Sequence, residues 1–441
     1  MPDPVHRRRS STRMKASITK KTGFLFLITM ALFLVLGNFP RILPFSSLMG
    51  SVNVSELVLY VLTLCCACVV ARRLMVCQLF LILSGGVIFS LCVGLLKWGM
   101  DSIAVIYNVR LILQITAAAV AGIFLHEHYG DHPKPLVKAY MRLYLLIVLF
   151  SYIIFVVFPD MALLLSDLDG IGIVFRGDPH AHRLVSPYLD PNFFGIIIVL
   201  PIILAIYTFY HQPSFFNGLC NLFYLGALFL TVSRSGLSLF FLFSAVLVLI
   251  GMSKLATSPH PGRLLPHGRG AFVVIGTVLA LMIPLWERSV GRFTKISSDL
   301  SALARLDSFY VGTALFNKEP MMGFGYNYSL KSIAAARGVP GLDSSLQGLV
   351  VNFGLLPMLA LTLTVLRWSA RVHFTLKSYD RTTGVYTVWR LVMIYVILSI
   401  LWAANFNPVL LYPFWLVPVL SMLMYFECVA HKKQTGMQAE A

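Results

Sequence analysis

The feature that most constrains this chain is a recurring unit: a run of about twenty apolar residues, nearly free of charge, followed by a short polar segment. A helix of that length spans the hydrocarbon core of a bilayer. Such runs fall at 23–39, 54–71, 78–96, 103–125, 140–158, 193–210, 219–233, 236–253, 270–286, 345–366, 390–406 and 408–426. The run at 219–233 is short, and Asn407-Pro408 separates the last two. Proline at these places reads as a turn or a kink. Composition agrees, since 58% of the 441 residues are hydrophobic and 12% are charged. Soluble domains carry about 25% charged residues, and no single soluble core buries so much apolar surface. The sequence therefore predicts an all-α polytopic membrane protein with about twelve transmembrane helices.

The net charge of +17 raises the question of nucleic acid. We exclude it, because no basic-aromatic module stands apart from the apolar runs, and excess Lys and Arg in a membrane protein reports topology first. Arg7, Arg8, Arg9, Arg13, Lys15, Lys20 and Lys21 precede the first run. With that segment inside, Arg72, Arg73, Lys134, Lys138, Arg142, Lys432 and Lys433 fall on the same side. The expectation is a bacterial inner-membrane protein with cytoplasmic termini. The first run lacks a small-x-small cleavage site, so it reads as an uncleaved span. The predicted organisation is a basic cytoplasmic tail at 1–22, one transmembrane domain at 23–427 and a cytoplasmic tail at 428–441. Two long periplasmic loops, at about 159–192 and 287–344, interrupt the domain, and 301–317 has a helical pattern within the second. Loops this long usually carry function. The seven cysteines lie in or beside apolar runs and read as small buried hydrophobes.

Unusual polar residues collect on the outer side. The first loop contains Arg176, Asp178, His180, His182 and Arg183, then Asp190-Pro191-Asn192-Phe193-Phe194-Gly195. Ser233-Arg234-Ser235-Gly236 joins two runs with almost no loop. An arginine at that depth is expensive and normally has a partner. A guanidinium also suits phosphate, because its forked donors match the oxygens; the plainer reading is a snorkelling anchor. Arg110 lies inside a run, where Glu56 is an available partner. His180 and His182 have a metal-compatible spacing but no evident third ligand. Asp343 opens a run, so it fits both a helix cap and a base, with Asp307 and Asp190 as further carboxylates. No phosphate loop or dinucleotide unit is present, and no cofactor is expected.

Four of these segments, in order, resemble the O-antigen polymerase and O-antigen ligase superfamily of bacterial envelope glycosyltransferases. They are Asp190-Pro191-Asn192-x-x-Gly195, Ser233-Arg234-Ser235-Gly236, Arg305 followed by Pro320-x-x-Gly323-x-Gly325, and a polar opening to the run that contains Asn352-Phe353-Gly354-Leu355-Leu356. The likeness covers roughly 190–363. It implies a donor glycan carried on undecaprenyl pyrophosphate, attacked at its anomeric carbon by an acceptor hydroxyl on the periplasmic side. By that resemblance Arg234 and Arg305, assisted by Arg176 and Arg183, bind pyrophosphate. Asp343 is the expected base, with His180 and His182 behind it. Ligases of the superfamily typically show His-Asn where this chain has Asp343-Ser344, which favours a polymerase for O-antigen, capsule or exopolysaccharide, working with the bilayer and a chain-length regulator. A ligase that transfers glycan to lipid A core is the alternative in the same class. A transporter or flippase is the alternative in another.

Overall fold

The computed structural model describes residues 21–39, 54–159, 183–257, 300–337, 341–378 and 384–440. Among these residues the chain is helical, without strands. Among the described residues, eight helices are long and apolar enough to cross a membrane. They are α2 (Val54–Leu74), α3 (Gln78–Trp98), α4 (Ser102–Tyr129), α5 (Pro133–Val157), α6 (Pro191–His211), α12 (Leu355–Lys377), α13 (Val385–Leu401, with a following 3-10 turn) and α14 (Pro413–Glu440). Three shorter apolar helices accompany them: α1 (Lys21–Leu36), α7 (Phe215–Leu230) and the apolar part of α8 (Arg234–Thr257). Between α8 and α12 stand α9 (Leu300–Lys318), α10 (Leu330–Arg337) and α11 (Ser345–Phe353). The expected run at 270–286 lies outside the described residues.

Local chemistry sets the helix starts. Asp101 caps α4 by accepting from the N–H groups of Ile103 and Ala104 at 3.0 and 3.3 Å. Asp190 caps α6 through Asn192 N–H at 2.7 Å and Phe193 N–H at 3.2 Å, with Pro191 in the first turn. Ser214 and Ser344 cap α7 and α11 in the same way. Each satisfies donors that a helix start leaves open, which matters more in lipid than in water.

α4 and α14 form the centre. The run Thr116-Ala117-Ala118-Ala119-Val120-Ala121-Gly122 of α4 is buried throughout, and a Cβ on Gly122 would lie 2.7 Å from the Met424 side chain and 2.9 Å from the Ser421 carbonyl oxygen. Small residues let these two backbones approach, as they do wherever membrane helices associate through packing. In α14, 94% of the most apolar window is buried, against 11% in α12. A second buried helix, α6, joins the centre through Tyr395, whose hydroxyl donates to Ile196 O at 3.1 Å and accepts from Trp415 Nε1 at 2.8 Å.

One span boundary differs from expectation. The run at 345–366 is two helices, because the chain breaks at Gly354 (φ 74°) and the long apolar helix starts at Leu355. Residues 428–440, expected as a tail, continue α14. The expected loop at 287–344 holds two helices from Leu300 onward, and the helical pattern seen in 301–317 is α9.

Candidate functional site

The four segments singled out in the sequence meet at one end of the bundle, in two pairs. The first pair is the start of α6 and the start of α8. A Cβ on Gly236 would stand 2.6 Å from the carbonyl carbon and oxygen of Gly195, and one on Gly195 would stand 2.7 Å from Ser233 Cβ. Glycine is needed at this crossing because backbone meets backbone. The turn that delivers α8 is only three residues long and holds Val232 at φ 47°, a costly conformation for a β-branched residue. Thr231 Oγ1, which accepts from Ser233 N–H at 3.2 Å, and Ser233 Oγ, which accepts from Gly236 N–H at 3.2 Å, hold it.

The second pair is the Pro320–Gly325 turn and the α11–α12 break. Gly325 N–H donates to Asn352 O at 2.8 Å, and Leu355 N–H donates to Pro320 O at 2.8 Å. Gly323 (φ 68°) and Gly354 (φ 74°) interlock so closely that a Cβ on Gly323 would lie 2.5 Å from Gly354 N. Asn407 ties the two pairs together. Its side-chain amide donates to Ser235 Oγ at 2.9 Å, and its carbonyl accepts from Ser345 Oγ at 2.9 Å.

Between α9 and α11 lies a cleft of 380 Å³ lined by Arg305, Ser308, Gln347, Asp343, Ser344 and Asn405 among others. It brings together two residues far apart in sequence, the half-buried Arg305 and Asp343. Asp343 is fixed from behind. Arg337 NH2 donates to its Oδ2 at 2.8 Å and to Ala304 O at 3.1 Å, while Arg337 Nε reaches Asp307 Oδ2 at 3.4 Å. The Arg337 side chain is only 5% exposed. Asp343 N–H in turn donates to Ser308 Oγ at 2.8 Å. One carboxylate oxygen is thus held by Arg337 while the residue lines the cleft.

Deeper at the same end, Arg183 is buried. Its Nε donates to Thr231 O at 2.8 Å and its NH2 to Asn192 Oδ1 at 2.8 Å. It therefore joins the short turn before α8 to the first turn of α6. Burial pushes the Asp190 carboxyl above the ordinary carboxylate range, while its two capping N–H groups and the guanidinium groups of Arg183 and Arg305 draw it back. Arg234 opens α8, half-buried, between two serines that the Asn407 network fixes. Arg176, His180 and His182 lie outside the described residues.

A second polar cavity, 260 Å³, opens near the starts of α6 and α14 and is lined by Asn38, Tyr107, Arg110, Gln114, Tyr326 and Tyr412 among others. The expected pairing of Arg110 with Glu56 is present. Nε and NH2 bind the two carboxylate oxygens at 2.6 and 2.9 Å, and Tyr60 and Gln114 also donate to Glu56.

Sequence reasoning chose Arg234, Arg305 and Asp343 but passed over Arg337 and Asn407. Arg337 counts in the sequence only as one more outward charge. Asn407 is visible as the polar Asn405-Phe406-Asn407-Pro408 interruption between two apolar runs, which marks a turn and gives no sign of what the turn touches. No protein-family model matches the chain, and no curated protein matches it.

Proposed function

We propose that this protein is a membrane glycosyltransferase that polymerises undecaprenyl-pyrophosphate-linked oligosaccharide repeat units, for O-antigen, capsule or exopolysaccharide. In this reading the chain crosses the bacterial inner membrane twelve times, with both termini cytoplasmic and the paired glycine crossings at the periplasmic face. The observation that carries it is the cleft in which Arg305 and Asp343 stand together, with Arg337 holding the carboxylate.

Transfer needs two groups of opposite character. An acceptor hydroxyl attacks the anomeric carbon of the donor, the new C–O bond forms, and the bond from that carbon to the pyrophosphate oxygen breaks. The electron pair leaves with the lipid pyrophosphate, whose charge needs preorganised cations. Arg305 is assigned that task with Arg234, which the Asn407 network couples to the cleft. Asp343 accepts the hydroxyl proton. Arg337 is a positioning residue, since its bonds are to protein oxygens. Arg183 acts the same way from beneath, by joining α6 to the turn before α8. The arginines and carboxylate assigned to the reaction gather at one end of the bundle, which favours an enzyme over a transporter or flippase. A chain-length regulator is a natural partner for a polymerase.

The test is gene deletion followed by electrophoresis of surface polysaccharide and analysis of lipid-linked sugars. A polymerase defect leaves single repeat units. Long polymer stranded on the carrier indicates the ligase activity instead, and an unchanged glycan profile refutes the assignment. Complementation with Arg305→Ala or Asp343→Asn, with protein level checked, should fail to restore the ladder. Full ladders from both would remove the cleft as the site.

A further inference from the structure

Away from the cleft, at the end of the bundle where α4 passes into α5, two cavities adjoin. One, of 580 Å³, lies between α6 and α7, with Ile206, Phe209, Leu219, Leu222 and Leu225 in its wall. The other, of 260 Å³, shares Pro213 and Ser214 with it and is lined by Lys138, Arg142, Gln212 and Asn217. The first wall is almost entirely apolar, and the second carries two cations. Lys134, Lys138 and Arg142 recur every four residues, so they share one face of α5. All three are exposed. Neither α5, α6 nor α7 contains an aspartate or glutamate, and the nearby Asp131 is taken up by Lys432 at 3.0 Å. The walls thus combine positive charge, without an acidic partner among the described residues, with a long apolar slot, and Phe215 and Phe216 are exposed beside it at 88% and 54%.

We propose that this composite cavity binds one anionic phospholipid of the bilayer, with its phosphate on Lys138 and Arg142 and an acyl chain in the apolar slot between α6 and α7. A zwitterionic lipid fills the slot equally well but gains less from the cations. Each Lys or Arg near an anionic headgroup contributes about fivefold, so two give a preference on the order of 30-fold. The site is separate from the glycan cleft and stands whether or not the glycosyltransferase assignment holds.

The experiment is native mass spectrometry of the full-length protein in detergent, titrated separately with dioleoyl phosphatidylglycerol and dioleoyl phosphatidylcholine. The expected result is a first phosphatidylglycerol bound about 30-fold more tightly than phosphatidylcholine. Lys138→Gln with Arg142→Gln should abolish that preference while phosphatidylcholine still binds. Gly218→Leu should weaken both lipids, because a side chain there projects toward the Phe209 ring. Equal binding of the two lipids by the wild type overturns the proposal, as does a preference that survives in the double variant. Displacement of phosphatidylglycerol by millimolar inorganic phosphate also overturns it, by showing a free-anion site. If the double variant does not fold, the wild type is titrated in about 1 M sodium chloride, where the screening length is about 3 Å. The preference should then collapse, and its persistence refutes the charge pairing.

Discussion

The buried pair Glu56–Arg110 permits a prediction of order as well as size. The Glu56 side chain is 1% exposed and that of Arg110 is 15% exposed. Arg110→Met removes both donors at 2.6 and 2.9 Å and strands the carboxylate with only Tyr60 and Gln114. Breaking a buried pair from one side costs about 3–5 kcal/mol, and this variant should lie near the middle of that range, about 4 kcal/mol. Glu56→Gln strands the guanidinium instead, but Arg110 faces the 260 Å³ polar cavity, where water can replace the lost acceptor. Its cost should be smaller, about 2 kcal/mol. The double variant carries neither charge and should cost no more than about 2 kcal/mol. The expected order of destabilisation is Arg110→Met, then Glu56→Gln, with the double variant no worse than Glu56→Gln. The assay is equilibrium unfolding in mixed detergent micelles, followed by helical circular dichroism, for all four proteins. If the double variant loses the sum of the two single losses, the residues do not act as a pair. If Glu56→Gln is the more damaging single change, the cavity does not hydrate Arg110.

Gly236→Ala places a methyl 2.6 Å from the Gly195 backbone, where no side chain can move aside; overpacking of this kind costs about 1–3 kcal/mol, so a thermal midpoint unchanged from wild type would refute the crossing. Burial raises the Asp190 carboxyl above its ordinary value, so the folded chain holds this proton more tightly than the unfolded chain, and the associated stability is lost as pH rises through the folded value. Asp190→Asn keeps the capping oxygen without the charge. Its thermal midpoint should therefore gain on the wild type as pH rises above the ordinary carboxylate range, and a constant gap would contradict the burial argument. Lys331 pairs with Asp101 at 2.7 Å but is 76% exposed, so Lys331→Ala should shift stability by no more than about 1 kcal/mol in the same micelle titration.

The spans were legible because lipid imposes one requirement, an apolar helix of sufficient length, and the sequence meets it again and again. The break at Gly354 was not legible. Val350 to Met358 is apolar on both sides of Asn352 and Gly354, and hydropathy does not register that Gly354 adopts φ 74° to let Gly323 pass. The same limit hid the continuation of α14, whose polar residues 431–440 read as a tail until a helix already anchored in the core carries them on. At the candidate site, Arg305 and Asp343 were chosen separately, for charge and for position. That they share one cleft depends on the packing of α9 against α11, a tertiary contact with no periodic trace in the sequence. Arg337 was missed for the same reason: its meaning lies in Asp343 at 2.8 Å.

The central position of α14 has a consequence for biosynthesis. A ribosome makes Pro413–Glu440 after every other helix described here, yet this is the helix against which α3, α4, α12 and α13 pack. The earlier helices must therefore enter the membrane individually and wait beside one another with the innermost place unfilled. Their polar contacts to α14 are unmet until it arrives. One of these is the start of α3, where Gln78 N–H finds Glu427 Oε1 at 2.7 Å. Assembly of the described bundle then waits on α14, which packs along the small-residue face of α4. A ribosome that stops before Pro413 releases a set of inserted helices that lack the one they close upon.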